Sequence, residues 1–273
     1  MFKYVIGLKD SNRFDKFFSA EGAQGFKRFY GLDARGGYDV NIYDKTRFEA
    51  IMLREPANAE VGCTWSHLNV YRQFLSESTD DQDILIVAED DALIDADIDS
   101  IVQKIFSKYP QLGAVVLSDG FAWESHTQNP YFVYSRISLL SRFIDSKHRV
   151  GPAAGSLSST GLYAISRSAA AKIVELAESN GNRPYWVADA WDFFEQTCGF
   201  RVYALRPGLC NWVGDSLISD GGEPMYKVIQ KLNSVPKNFV DKLRIVAAPR
   251  SRRGNFKNTL EATKKHLKQM CAR

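Results

Sequence analysis

Three adjacent carboxylates, Glu89-Asp90-Asp91, close a continuous apolar run, Ile84-Leu85-Ile86-Val87-Ala88. Such a run is typical of a strand buried on both faces. In open α/β sheets ligands bind beyond the carboxyl ends of the strands, so acids at this place face a crevice. Neighbouring like charges repel and resist desolvation, a cost that water or a bound cation relieves. Hard carboxylate oxygens favour Mg²⁺ or Mn²⁺, and such an ion can bridge to a diphosphate. A hydrated acidic turn is the alternative reading of the same residues.

A second group with chemical potential is Glu60-Val61-Gly62-Cys63-Thr64-Trp65-Ser66-His67. Gly62 marks a point where something approaches the backbone closely. Cys63 and His67 are an i,i+4 pair on one helix face, as a thiol–imidazole dyad requires, but nothing in the stretch supplies an orienting third group. A histidine satisfied within the fold is the plainer reading. Further on, Asp189 and Asp192 in Trp186-Val187-Ala188-Asp189-Ala190-Trp191-Asp192 lie three apart, a spacing that shares a helix face. A carboxylate beside Trp has the surroundings that raise a pKa toward that of a general base, whereas an Asp near a helix start equally serves as its cap.

The elements that must position these groups alternate. Tyr4–Leu8 reads as a first strand, residues 13–29 carry helix-compatible aromatic spacing at Phe14, Phe17 and Phe18, and Phe29–Leu32 reads as a second strand before the turn at Asp33–Gly37. Asn58 is a plausible N-cap for an amphipathic helix over Glu60–Leu75, with Val61, Trp65, Leu68, Tyr71 and Leu75 on its apolar face. A helix over Asp99–Tyr109, a buried strand over Leu112–Leu117 and an irregular, aromatic-rich stretch over 120–150 come next. Leu162–Ser166 is a strand, Ser168–Ser179 a helix that Gly181 ends, and Arg201–Leu205 the last clear strand. Strand–helix alternation predicts an α/β fold with a mostly parallel mixed sheet flanked by helices.

With 273 residues and 45% hydrophobic content, the chain can bury one large core. The formal net charge of +3 is unevenly spread: from Lys242 onward ten Lys and Arg face the single acid Glu261, leaving an acidic body. The expected division is a domain over 1–240 and a basic helical tail over 241–273. That tail suits an anionic membrane surface, or is a solvated end, and an acidic body argues against nucleic acid as a general partner. Cys63, Cys198, Cys210 and Cys271 form neither a metal-finger spacing nor a disulfide framework, so a cytoplasmic location is the default. Met1–Leu8 is too short an apolar run for a signal peptide, and no stretch approaches the roughly 20 apolar residues of a membrane span.

Taken together the pieces resemble glycosyltransferase family 25, the lipopolysaccharide and lipooligosaccharide galactosyltransferase-like group. The resemblance rests on Glu60–His67, the strand ending in Glu89-Asp90-Asp91, Gly161-Leu162-Tyr163-Ala164-Ile165-Ser166-Arg167 with Ala169-Ala170-Ala171, and Val187-Ala188-Asp189 before Val202–Pro207, in that order, and it spans roughly residues 3–210. It implies a GT-A-like nucleotide-sugar domain and a UDP-sugar donor, galactose first, with a glycan hydroxyl as acceptor. Implied roles are Mn²⁺ or Mg²⁺ on Asp91 and Glu89, and donor contacts at Lys9, Arg13, Ser66, His67, Glu89 and Asp90. Ser159 and Thr160 would contact acceptor hydroxyls, and Asp189, with Asp192 as understudy, would be the base of an inverting transfer. The family's opening turn survives only loosely as Gly7-Leu8-Lys9-Asp10-Ser11-Asn12-Arg13. Two other classes are open: a nucleotidyltransferase, against which stands the lack of a glycine-rich basic phosphate loop after the first strand, and a non-catalytic glycan-binding domain.

Overall fold

A computed structural model describes residues 1–94, 97–118, 137–138, 140–153, 157, 159–212, 264 and 267–268. Strands β1 (Phe2–Gly7), β2 (Lys27–Tyr30), β3 (Ile84–Glu89), β5 (Leu112–Val116), β6 (Arg142–Phe143), β7 (Arg149–Pro152), β8 (Leu162–Ser166) and β9 (Arg201–Arg206) form one sheet in the order β2-β1-β3-β8-β5-β9-β7-β6. The short β4 (Ala92–Ile94) pairs antiparallel with β10 (Cys210–Trp212) in a separate two-stranded sheet. Six strands of the large sheet point one way, and β7 and β8 run against them. The α/β class with a mixed sheet is therefore the one observed, but the sheet is not mostly parallel by pairing: β1–β2, β1–β3 and β5–β9 are parallel, and the other four pairs are antiparallel because β7 and β8 are inserted against the rest.

Period-two alternation divides the core between the two faces of the sheet. Leu85 and Val87 of β3 join Tyr4, Ile6, Tyr163 and Ile165 on one face, covered by α3 (Asn58–Glu77), α5 (Arg167–Ser179) and α6 (Trp191–Cys198). Ile86 and Ala88 join Val5, Leu162 and Ala164 on the other, covered by α1 (Phe14–Ser19) and α4 (Ile98–Lys108). Burial on both faces is why β3 shows no polar alternation. Each fully buried Leu, Ile or Phe contributes about 1.5–3 kcal/mol on transfer from water, so the sheet fixes its strand ends firmly.

Several boundaries differ from expectation for local reasons. Helix α1 stops at Ser19, where the Ala20 backbone turns extended (ψ 140). A 3₁₀ turn at Glu21–Ala23 and Gly25 at φ +78 then bring β2 in two residues early. Asn58 is not the cap of α3: Ala57 occupies that place, and the Glu60 carboxylate accepts the Ala57 N–H at 2.9 Å. Helix α2 (Lys45–Met52), not expected from the sequence, is capped by Asp44, whose side chain accepts the Arg47 N–H. Within the stretch read as irregular, β6 and β7 extend the sheet, while 119–136 and 139 lie outside the described residues. So does the basic tail, apart from Lys264, Leu267 and Lys268, which are helical and exposed. No helix among the described residues is long and apolar enough to cross a membrane.

Candidate active site

The parallel strands β2, β1 and β3 end side by side, and their carboxyl ends line one cleft of about 730 Å³, open mouth included. Neighbouring backbone fixes the acidic turn. The Glu89 N–H donates to the Gly161 carbonyl at 3.0 Å and the Asp90 N–H to the Ile6 carbonyl at 2.9 Å. Because alternation continues through the strand end, Glu89 projects toward α3 and Asp90 toward the loop after β1. There the Ser11 hydroxyl donates to Asp90. Gly7 leaves room for this arrangement, since a Cβ at its position would meet the Asp90 carboxylate and the Phe14 ring at 2.7 Å.

Among the described residues, one cation faces the acids. Arg13 Nη1 lies 3.4 Å from Asp91 Oδ2 and 3.8 Å from Asp90 Oδ1. Burial, followed by the charges of Glu89 and Asp90, pushes Asp91 up to about 7 despite Arg13. Burial raises Asp90 as well, with Glu89 adding to it and Ser11 and Arg13 opposing. For Glu89 burial is outweighed by the hydrogen bonds and charge of His67 and by Thr160, and its pKa is lowered. Asp91 Oδ1 is buried and accepts no hydrogen bond. A desolvated carboxylate oxygen without a donor is costly, and a proton or a cation relieves it. The turn is thus largely withdrawn from solvent, with Asp90 9%, Asp91 15% and Glu89 21% exposed.

The α3 residues meet the turn from the opposite side. His67, 2% exposed, places Nε2 3.4 Å from Glu89 Oε1 and Nδ1 2.7 Å from the Tyr163 hydroxyl, which donates to the Tyr71 hydroxyl at 2.8 Å. With the Tyr163 proton directed to Tyr71, Nδ1–H donates to Tyr163, and Nε2 is turned to Glu89 at the cleft. Glu89 also accepts from Thr160 Oγ1 at 2.5 Å. Ser66 lines the cleft but is engaged within the fold: its Oγ accepts the Leu32 N–H at 2.9 Å and donates to the Gly62 carbonyl at 2.6 Å. What approaches Gly62 closely is the chain itself, since a Cβ there would stand 2.8 Å from the Leu32 carbonyl oxygen. At the rim Arg35 pairs with Asp33 at 2.6 Å and holds that carboxyl down to about 2.

Glu89, Asp90, Asp91, Arg13, Ser66 and His67 therefore line one cavity, together with Cys63. Lys9 is exposed and is not among the lining residues. Neither are Ser159 and Thr160, whose hydroxyls are committed to Ser118 (2.8 Å) and Glu89. Asp189 precedes α6 and is likewise not among the lining residues; burial, then the charges of Glu89 and Glu60, raises its pKa. Asp192 sits in the first turn of α6. Sequence reasoning missed Ser11, Tyr71 and Tyr163. Ser11 had a signal in its place just after β1, while the two tyrosines read as ordinary core.

The profile of glycosyltransferase family 25 (LPS biosynthesis protein) matches residues 1–189. No curated protein matches the sequence. Among solved structures, the crystal structure of A197 from STIV is similar at 12% identity and a TM-score of 0.40, covering 82% of this chain and 100% of that one. A mannosyltransferase, PcManGT from Pyrobaculum calidifontis in complex with GDP-Man and Mn²⁺, is similar at 14% identity and a TM-score of 0.38, covering 79% of this chain and 57% of that one.

Proposed function

The chain belongs to glycosyltransferase family 25, and on that premise we propose that it moves a hexose, galactose first, from a UDP-sugar to a hydroxyl of a lipopolysaccharide- or lipooligosaccharide-type glycan, with inversion and with a divalent cation. The observation that carries the reading is the acidic turn itself: three carboxylates at the carboxyl ends of parallel strands, in a cleft, with a buried Asp91 oxygen that has no donor. These residues fit Mn²⁺ or Mg²⁺, which prefer hard oxygens. Asp91 and Glu89 would hold the ion, which when bound neutralises charge on a leaving diphosphate.

The chain's own groups do the remaining work. Arg13 adds a fixed positive charge beside the turn, against Asp91 and Asp90. Asp90, fixed by Ser11 and the Ile6 carbonyl, positions the donor's ribose or ordered water. His67 and Thr160 fix the orientation of Glu89. Asp189 removes the proton from the attacking hydroxyl, since a carboxylate raised by burial and by Glu89 is a better base than an ordinary one. One base and one displacement through an oxocarbenium-like transition state give inversion. We assign the basic segment from Lys242 to an anionic membrane surface on the cytoplasmic side, where a lipid-linked acceptor is presented.

The test is a screen of UDP-sugars, with GDP-mannose as comparator, for hydrolysis and thermal stabilisation with and without Mn²⁺. Mn²⁺-dependent stabilisation and slow hydrolysis by UDP-galactose are expected. Equal turnover in EDTA removes the metal role. Glycan binding without any nucleotide-sugar response selects the non-catalytic alternative.

A further inference from the structure

The sequence left Cys63 and His67 as a helical pair without a third partner, and sugar transfer gives the thiol no task. In the fold the third partner is Glu89. Cys63 Sγ, a ring nitrogen of His67 and a Glu89 carboxylate oxygen all lie within 4.8 Å of one another, and all three residues line the cleft. From this juxtaposition we infer a binding site for a borderline-soft divalent cation, Zn²⁺ first, held by Cys63, His67 and Glu89 with a fourth position open to the cleft.

The donor set differs in kind from the acidic turn. Sulfur, imidazole nitrogen and one carboxylate oxygen select Zn²⁺ or Co²⁺ over Mg²⁺, and three protein ligands with one open position is a familiar zinc arrangement. In a tetrahedral shell, zinc bonds of about 2.0 Å to nitrogen and 2.3 Å to sulfur hold ligand atoms about 3.5 Å apart; His67 Nε2 and Glu89 Oε1 already stand at 3.4 Å, and Cys63 Sγ, within 4.8 Å of both, closes the remainder by side-chain rotation. His67 is already oriented for this. Its Nδ1 is 2.7 Å from the Tyr163 hydroxyl, which leans on Tyr71, and its Nε2, 3.4 Å from Glu89 Oε1, is the ligand atom, exchanging that contact for the ion that enters between them; a hydrogen bond on the far ring nitrogen is how metal-bound histidines are held. Cys63 is unpaired with any other cysteine. Burial, then the charges of Glu89 and Asp189, push its thiol pKa up against a hydrogen bond with Thr160. Binding is thus a ligand exchange in which the S–H proton leaves to solvent as the S–Zn bond forms and no redox partner is required. The site shares only Glu89 with the proposed hard-cation site and stands independently of sugar transfer.

The experiment uses the full reduced chain freed of metal with a chelator and titrated with Co²⁺, whose thiolate charge-transfer absorption reports a sulfur ligand. One equivalent should produce the band, excess Mg²⁺ should leave it in place, and Cys63→Ser should abolish it. Tyr163→Phe should weaken binding about tenfold, the usual cost of removing an outer-sphere partner of a ligating histidine. To separate loss of a ligand from disturbance of the helix, Zn²⁺-loaded wild-type protein is also measured by X-ray absorption, where one sulfur at about 2.3 Å beside an imidazole is expected. No band, a band that persists in Cys63→Ser or is displaced by Mg²⁺, or a sulfur-free zinc shell overturns the inference. Each of these outcomes concerns cation binding alone and leaves the donor screen to decide the transfer reaction separately.

Discussion

Replacing Asp91 with asparagine should make the metal-free protein more stable at alkaline pH while abolishing transfer. The ordinary carboxyl value is 3.8, and in the fold Asp91 rises to about 7. Between these values the folded chain holds a proton that the unfolded chain has lost. Stability is therefore greatest below the unfolded value, declines as pH rises through this window, and has lost the whole contribution once pH exceeds the folded value. A gap of about three units at about 1.4 kcal/mol each sets a ceiling of about 4 kcal/mol. Glu89 and Asp90 share the field and relax when Asp91 is neutralised, so about 2 kcal/mol is the working figure. Asparagine has the same shape and no charge. At about pH 8 the variant should melt about 4–8 °C above wild type, and the difference should vanish below about pH 4. Differential scanning fluorimetry in EDTA across this range measures it, and a parallel series with Mn²⁺ should stabilise wild type at high pH but not the variant. A variant that is less stable than wild type at pH 8, or that keeps the wild-type pH profile, would refute the electrostatic account of the turn.

Asp189→Asn should lower kcat by about 10²-fold or more with donor affinity retained, whereas Asp192→Asn should stay within a few-fold. The wild-type rate should rise with pH through the elevated Asp189 value, which a kcat–pH profile reads directly. Gly62→Ala forces α3 away from the Leu32 carbonyl oxygen that a Cβ would approach to 2.8 Å. It should cost about 1–3 kcal/mol in urea unfolding and raise the donor KM, because the displaced segment is a wall of the cleft.

Much of this arrangement was legible in the chain. The β3 run with its acidic end announced itself, because a strand buried on both faces must be apolar throughout and its carboxylates then have only the crevice to occupy. Helix α3 was readable from Val61, Leu68 and Tyr71, although its buried face is wider and includes Val70 and Phe74. Strand direction was not readable. The periodicity of Leu162–Ser166 is the same either way, and only the structure places β8 antiparallel between β3 and β5. Edge strand β2 and helix α2 lack a strong apolar stripe, so their limits or existence escaped notice. At the site, Cys63 and His67 were found by spacing, but Glu89 and Tyr163 reach them from separate strands, a relation no local pattern encodes. The resemblance implied a donor contact at Ser66, which does line the cleft. Its bonds to Leu32 and Gly62 could be seen only once β2 and α3 were packed together.

The Ser66 bridge also bears on how selectivity arises in the cleft. By clasping the backbone just after β2 from a long buried helix, it sets the spacing between that segment and the acidic turn before anything binds. On the proposed function, a donor that fits this spacing would lose little free energy to ordering the protein, and a bulkier one would have to break the part-buried Leu32–Ser66 hydrogen bond to enter. Discrimination on this wall would then be a matter of size tolerance built in at folding, set through Gly62 and Ser66 without either needing to touch a ligand atom.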